Sequence, residues 1–179
     1  MFTLRDVIQK EIKMDKKKSI IATLSIIIGN PSKRVILLYR ISKISYDKGF
    51  CKLGILLRNR MILKYGVHIS LKADIGLGLE LRHINGVVIG DGVKIGKNVV
   101  IYQQVTLGGQ NLGDSVKNNY PIVGDNVIIF AGAKILGDVI VGSNSIVGAN
   151  SVVIKNVDEY SVYAGIPAKK IKDLKELSE

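Results

Sequence analysis

Few residues in this 179-residue chain could perform acid–base or nucleophilic chemistry: it has two histidines, His68 and His83, one cysteine, Cys51, and no tryptophan. An imidazole with an unperturbed pKa of about 6.5 can be neutral at working pH and accept a proton. His83 is the stronger candidate for that role, because it stands where the spacing of its apolar neighbours breaks. Arg82 precedes it, and Tyr120 closes a polar stretch, 109–120, that opens on the pair Gly108 and Gly109. A lone cysteine forms no internal disulfide and no multi-cysteine metal site. Packing and backbone pairing must therefore hold the fold, in what reads as a reducing, cytoplasmic setting with no bound metal.

The element that positions these residues is written in a six-residue period. Large aliphatic residues stand at Ile69, Ile75 and Leu81, at Ile89, Ile95, Ile101 and Leu107, and at Val123, Ile129, Ile135, Val141, Val147 and Val153. Such regularity is neither the 3.6 of a helix nor the 2 of an ordinary strand and marks a repeat architecture. Six residues make one short strand and a turn, so three repeats close a triangular coil whose aliphatic residues point to the axis, and successive coils pair as parallel strands. Thirteen repeats give a prism on the order of 20 Å long at about 4.8 Å per coil. Burial of each aliphatic residue contributes roughly 1.5 to 3 kcal/mol. The glycine that often follows the aliphatic residue, together with Asp91, Asn98, Asp125, Asn126, Asp138 and Asn144, is expected at corners needing unusual backbone angles. The period breaks twice: the step from Leu81 to Ile89 is eight, beside His83, and the step from Leu107 to Val123 is sixteen, which expels a loop at about 109–120. Loops leaving a rigid repeat are where sites are commonly built.

The rest of the chain is differently made. Residues 1–65 hold 15 Lys and Arg against 4 Asp and Glu, while residues 66–179 hold 11 of each, so the whole net charge of +11 lies in the first third. That part lacks the interleaved aromatics of a base-stacking nucleic-acid binder, and a nucleic-acid partner is not expected. Its apolar run, 19–29, is eleven residues, short of the about 20 that span a bilayer. Lysines beside apolar runs fit either short helices packed on the main body or peripheral contact with an anionic membrane face. The expected organisation is a basic, mostly helical segment over 1–65, a β-helix over 66–160, and a C-terminal tail over 161–179 with a short helix.

The stretches HINGVVIGDGVKIG, IYQQVTLGG, GDNVIIFAGAKILGDVIVG, VGANSVV and AGIPAKK, over roughly 105 residues, resemble the left-handed parallel β-helix acyltransferases, most closely their serine O-acetyltransferase-like branch. The resemblance implies a mainly β fold, acetyl-CoA as acyl donor, a homotrimer with the donor between subunits, and His83 as general base. It also implies donor contacts along Gly108, Gly109, Ala131, Gly132 and Ala149, with Gly165 and Lys169 near the nucleotide end. The zinc carbonic anhydrases of similar fold need three histidine ligands and are excluded by the count of two.

Three positions depart from that branch. His68 stands where an Asp orients the base, Arg82 where a second Asp contacts serine, and Tyr120 where a second histidine precedes a proline. Loss of two carboxylates removes the charges that would hold serine's ammonium group, and an Arg and a Tyr lining one groove suit a neutral or anionic hydroxyl compound. The segment LLYRISK is similar to the branch that O-acetylates capsular or exopolysaccharide units. The leading expectation is therefore an O-acetyltransferase acting on a sugar hydroxyl of a surface polysaccharide or its precursor, with Arg82, Tyr120 and His68 at the acceptor. The alternative is a serine O-acetyltransferase feeding cysteine synthesis. A backbone carbonyl, Glu80 or a group of the acceptor is left to replace the carboxylate that orients His83.

Overall fold

A computed structural model describes residues 4–11 and 28–174. The body is a parallel β-solenoid of about five coils, each built from three short strands that fall into three sheets. Sheet A joins β1 (His68–Ile69), β4 (Val88–Ile89), β7 (Thr106–Gly108), β10 (Lys134–Leu136) and β13 (Val152–Val153). Sheet B joins β2 (Asp74–Ile75), β5 (Lys94–Ile95), β8 (Ile122–Val123) and β11 (Ile140–Val141). Sheet C joins β3 (Glu80–Arg82), β6 (Val100–Tyr102), β9 (Ile128–Ile129), β12 (Ile146–Val147) and β14 (Ser161–Gly165), and β15 (Ala168–Asp173) closes it antiparallel.

The six-residue period maps directly onto this body. All thirteen aliphatic positions are buried, none more than 4% exposed. In sheet A, Ile69, Ile89, Leu107, Ile135 and Val153 stack in register, and in sheet C Leu81, Ile101 and Ile129 do the same. The irregular steps of the sequence are absorbed at two corners, so the coils above and below stay in phase.

The corners differ from the expectation in one respect. Asn98, Asn126 and Asn144 do adopt left-handed backbone, with φ of 57°, 56° and 58°, and their amides form a ladder from Asn98 to Asn126 and on to Asn144. Asp91, Asp125 and Asp138 do not, and neither do the glycines that follow the aliphatic residues. Those glycines are required by the approach of the next coil instead: a Cβ on Gly96 would lie 2.3 Å from Asp125 Oδ1 and 2.7 Å from the Gly124 carbonyl carbon.

The first coil leaves one edge of each sheet without a strand partner, and the helices cover it. They are α1 (Leu4–Lys10), α2 (Pro31–Asp47) and α3 (Cys51–Tyr65). Asn30 caps α2 by accepting from the Lys33 amide, Pro31 fits its first turn, and Gly66 at φ 61° ends α3. Val35, Ile36, Tyr39 and Met61 extend the core beneath Val67 and Ile69. Burial pushes the Tyr39 phenol pKa well up. Arg40 donates to the carbonyls of Ile75 and Gly76, and Glu11 accepts from Arg40 Nε at 3.0 Å and from the Gly78 amide at 3.1 Å. A buried ion pair thus joins α1, α2 and the first coil.

No described helix is long and apolar enough to cross a membrane. Most of the apolar run for which helices packed on the body and peripheral membrane contact were the two alternatives, residues 19–27, lies outside the described residues. The tail expected to carry a short helix is instead a strand hairpin over 161–165 and 168–173, because Val162 and Tyr163 continue sheet C, while 175–179 lie outside the described residues.

Candidate active site

His83 sits just after β3, at the corner between sheets C and A, where the two extra residues of the first coil bulge outward. Its backbone is left-handed, at φ 54°, which only a few per cent of non-glycine residues adopt. That strained bulge holds the side chain outside the aliphatic column, exposed at the rim of a cavity of about 520 Å3. Lys10, Glu11, Ser32 and Lys33 of the helical segment line it from one side, and Glu80, Arg82 and His83 from the solenoid. Sequence reasoning missed the helical contributors; they are distant in the chain and reach the cavity only because the helices plug the first coil.

The same corner continues up the solenoid as a column tied by backbone hydrogen bonds. Gln104 donates to the Asn85 carbonyl, Gly132 to that of Gln103, and Asn150 to that of Ala131, at 2.8 to 2.9 Å. Ala131, Gly132 and Ala149 therefore share one edge with His83, and the hairpin bearing Gly165 and Lys169 stands at its far end. On the outer face beside this edge, Arg82 pairs in register with Tyr102, whose ring stacks on Phe130 at 5.0 Å. Along the column Gln103 Oε1 is buried with no hydrogen-bond partner among the described residues. Gln103 lies within the stretch IYQQVTLGG, but nothing in its spacing singles it out.

Gly108 and Gly109 lie elsewhere. They end β7 at the opposite edge of sheet A, where the loop departs, and a Cβ on Gly108 would meet nothing within 4 Å. The loop carries one turn of helix, α4 (Asp114–Lys117), and is tied by Asp114, which accepts from the amides of Asn111 at 2.6 Å and Gln110 at 2.7 Å. The Asn111 amide foremost, with that of Gln110, lowers the Asp114 carboxyl pKa below its ordinary value. Tyr120 folds back over Gly92 and lines a second cavity of about 360 Å3 with Lys72, Asp91 and Lys94. Asp91 is held below the usual carboxylate range, first by the Ser70 hydroxyl at 2.7 Å and then by Lys72.

One chain accordingly does not bring Arg82 and Tyr120 into one groove, as the sequence reading expected. Arg82 donates from Nε to Glu80 Oε1 at 2.9 Å, so Glu80 is engaged and does not orient His83. His68 begins sheet A at the His83 corner, its amide bonded to the Val87 carbonyl, with no hydrogen bond to His83. Among the described residues, the His83 imidazole has no hydrogen-bond partner.

A parallel solenoid of six-residue repeats, with a single imidazole presented at a strained corner, defines a hexapeptide-type transferase body. The family profile "Bacterial transferase hexapeptide (six repeats)" matches residues 120–155. The serine acetyltransferase of Buchnera aphidicola subsp. Schizaphis graminum is 42% identical over 137 residues, 76% of this chain and 52% of that protein. The serine acetyltransferase of Staphylococcus aureus strain Mu50 is 49% identical over 107 residues, 60% of this chain and 49% of that protein. A serine acetyltransferase solved in complex with CoA superposes with a TM-score of 0.79 at 33% identity, covering 94% of this chain and 69% of that one. The chain belongs to the hexapeptide-repeat transferase family, and its homologues there are serine acetyltransferases. It spans about half the length of the curated relatives it matches.

These relatives overturn the expectation of a sugar acceptor in a polysaccharide. That expectation treated Arg82 and Tyr120 as one acceptor groove. The two lie at different corners, so their chemistry does not combine in one chain, and 42 to 49% identity to serine acetyltransferases favours the alternative.

Proposed function

We propose that the chain is an acetyl-CoA-dependent O-acetyltransferase that transfers acetyl to the hydroxyl of serine. The observation that carries this reading is His83, held outside the column at φ 54° on the rim of a cavity large enough for a small acceptor. His83 takes the proton of the acceptor hydroxyl as that oxygen attacks the thioester carbonyl; the C–O bond forms, the C–S bond breaks, and the proton passes to the departing CoA sulfur. Acetyl-CoA supplies the activated acyl group. The edge from His83 through Ala131, Gly132 and Ala149 suits an extended donor, because small side chains let it lie against the coils. Gly165 and Lys169 stand where the nucleotide end would reach, and His68 and Arg82 flank the acceptor.

Gly108, Gly109 and Tyr120 sit across sheet A from this edge, which supports a homotrimer in which one subunit's glycine corner faces the next subunit's His83 edge. Release of CoA with serine tests the reading. The His83→Ala enzyme is expected to lose on the order of 100-fold or more in kcat, and wild-type turnover by that variant removes His83 from the mechanism.

A further inference from the structure

We propose that the His83 cavity recognises its acceptor through a carboxylate and not through an ammonium group, so that it acetylates small hydroxy acids as well as serine. This rests on the O-acetyltransfer reading and concerns the charges that line the cavity. Among the described residues two carboxylates line it, Glu11 and Glu80, and both are engaged. Glu11 Oε1 accepts from Arg40 Nη2 at 2.5 Å and from the Gly78 amide at 3.1 Å, and its Oε2 accepts from Arg40 Nε at 3.0 Å. Glu80 faces Arg82 at 2.9 Å. Against these two acids stand Lys10, Lys33 and Arg82 in the lining, with Arg40 already neutralising Glu11 from behind. Among the described residues, an ammonium group entering this space finds more cations than acids in the lining, and each carboxylate there already has a counter-charge.

Arg82 has the opposite character. Its Nε is held by Glu80, which fixes the plane of the guanidinium, while Nη1 and Nη2 have no hydrogen-bond partner among the described residues. Its side chain is half exposed and is the immediate neighbour of His83. Paired terminal nitrogens of an arginine match the two oxygens of a carboxylate. A compound with a hydroxyl beside a carboxylate can therefore present its oxygen to His83 while Arg82 holds the other end. The reaction is unchanged: the hydroxyl proton goes to His83, the acetyl C–S bond breaks, the C–O bond forms, and CoA leaves as the thiol with an O-acetyl hydroxy acid.

Steady-state turnover of the full chain with acetyl-CoA and three acceptors tests this. Serine carries both charged groups, glycerate lacks the ammonium, and serinol lacks the carboxylate. The expected kcat/KM for glycerate is within about threefold of that for serine, and that for serinol is about 30-fold lower, the worth of one charge-assisted pair. Arg82→Ala should raise KM for serine and glycerate about 10-fold or more with a smaller change in kcat, and Arg82→Lys should recover part of it. Arg82→Asp should invert the order and favour serinol over glycerate. Turnover of serine and serinol with glycerate inert overturns the carboxylate proposal and leaves acetyl transfer to serine standing. Unchanged KM values in Arg82→Ala overturn the assignment to Arg82. No turnover of any of the three overturns both.

Discussion

Two glycines of the solenoid, Gly96 and Gly108, stand at the same place in the repeat and in different surroundings. A Cβ on Gly96 would strike backbone of the neighbouring coil, whereas a Cβ on Gly108 would project into open space. Gly96→Ala should therefore cost about 2 kcal/mol of stability, because backbone a coil away cannot retreat without disturbing its own ladder. Gly108→Ala should leave the urea midpoint unchanged and raise KM for acetyl-CoA instead, which parallel denaturation and kinetics separate. A glycine after an aliphatic residue looks the same in the sequence at both positions, so the period locates it without revealing its reason. What the period does carry is the inside of the column: Ile69 through Val153 could all be placed because a strict spacing of six admits only one face. His83 was legible for a related reason, since an interruption in so regular a pattern must leave the column. Gln103 and the cavity-lining Lys10 and Lys33 were not, because their roles come from neighbours brought close by folding.

The elements that break the solenoid are held by charged groups, and each hold has its own signature. In the 109–120 loop the ionised Asp114 accepts two backbone amides, which lowers its pKa in the folded chain. A carboxyl with a depressed folded pKa contributes stability that is complete above its unfolded value, near 3.9, and is lost as pH falls through the folded value. The amides of Gln110 and Asn111 should thus lose hydrogen-exchange protection on acidification below about pH 4 while the sheet amides keep theirs, and Asp114→Asn should remove that pH dependence. Beneath the first coil, Glu11 and Arg40 join the helices to the solenoid at Ile75, Gly76 and Gly78, both only 4% exposed. Removing one partner of a buried pair is costly, so Glu11→Ala should lower stability by about 3 kcal/mol, read as a fall in Tm. The pair was invisible to pattern reasoning: Glu11 follows a short helix with nothing to mark it, and its partner is 29 positions away.

Taken as one body, a single subunit is an incomplete enzyme on the proposed reading. The His83 edge carries the base, Gln103, Ala131, Gly132 and Ala149, while Gly108, Gly109 and Tyr120 stand at the other edge of the same sheet. On that reading the two sets meet at one thioester where neighbouring subunits present them to each other around a closed ring. That arrangement predicts complementation. His83→Ala subunits lack the base but keep the glycine corner, and subunits shortened across 110–119 lack the loop but keep His83. Either variant alone should be inactive. Unfolded and refolded together in equal amounts, random trimers place an intact His83 edge against an intact loop at about one quarter of their interfaces, so about that fraction of the wild-type rate should return. If both sets act within one chain, every site in the mixture lacks one of them and no activity returns. Light scattering on the same samples establishes that the mixtures assemble, which separates a failure of the shared site from a failure to form the ring.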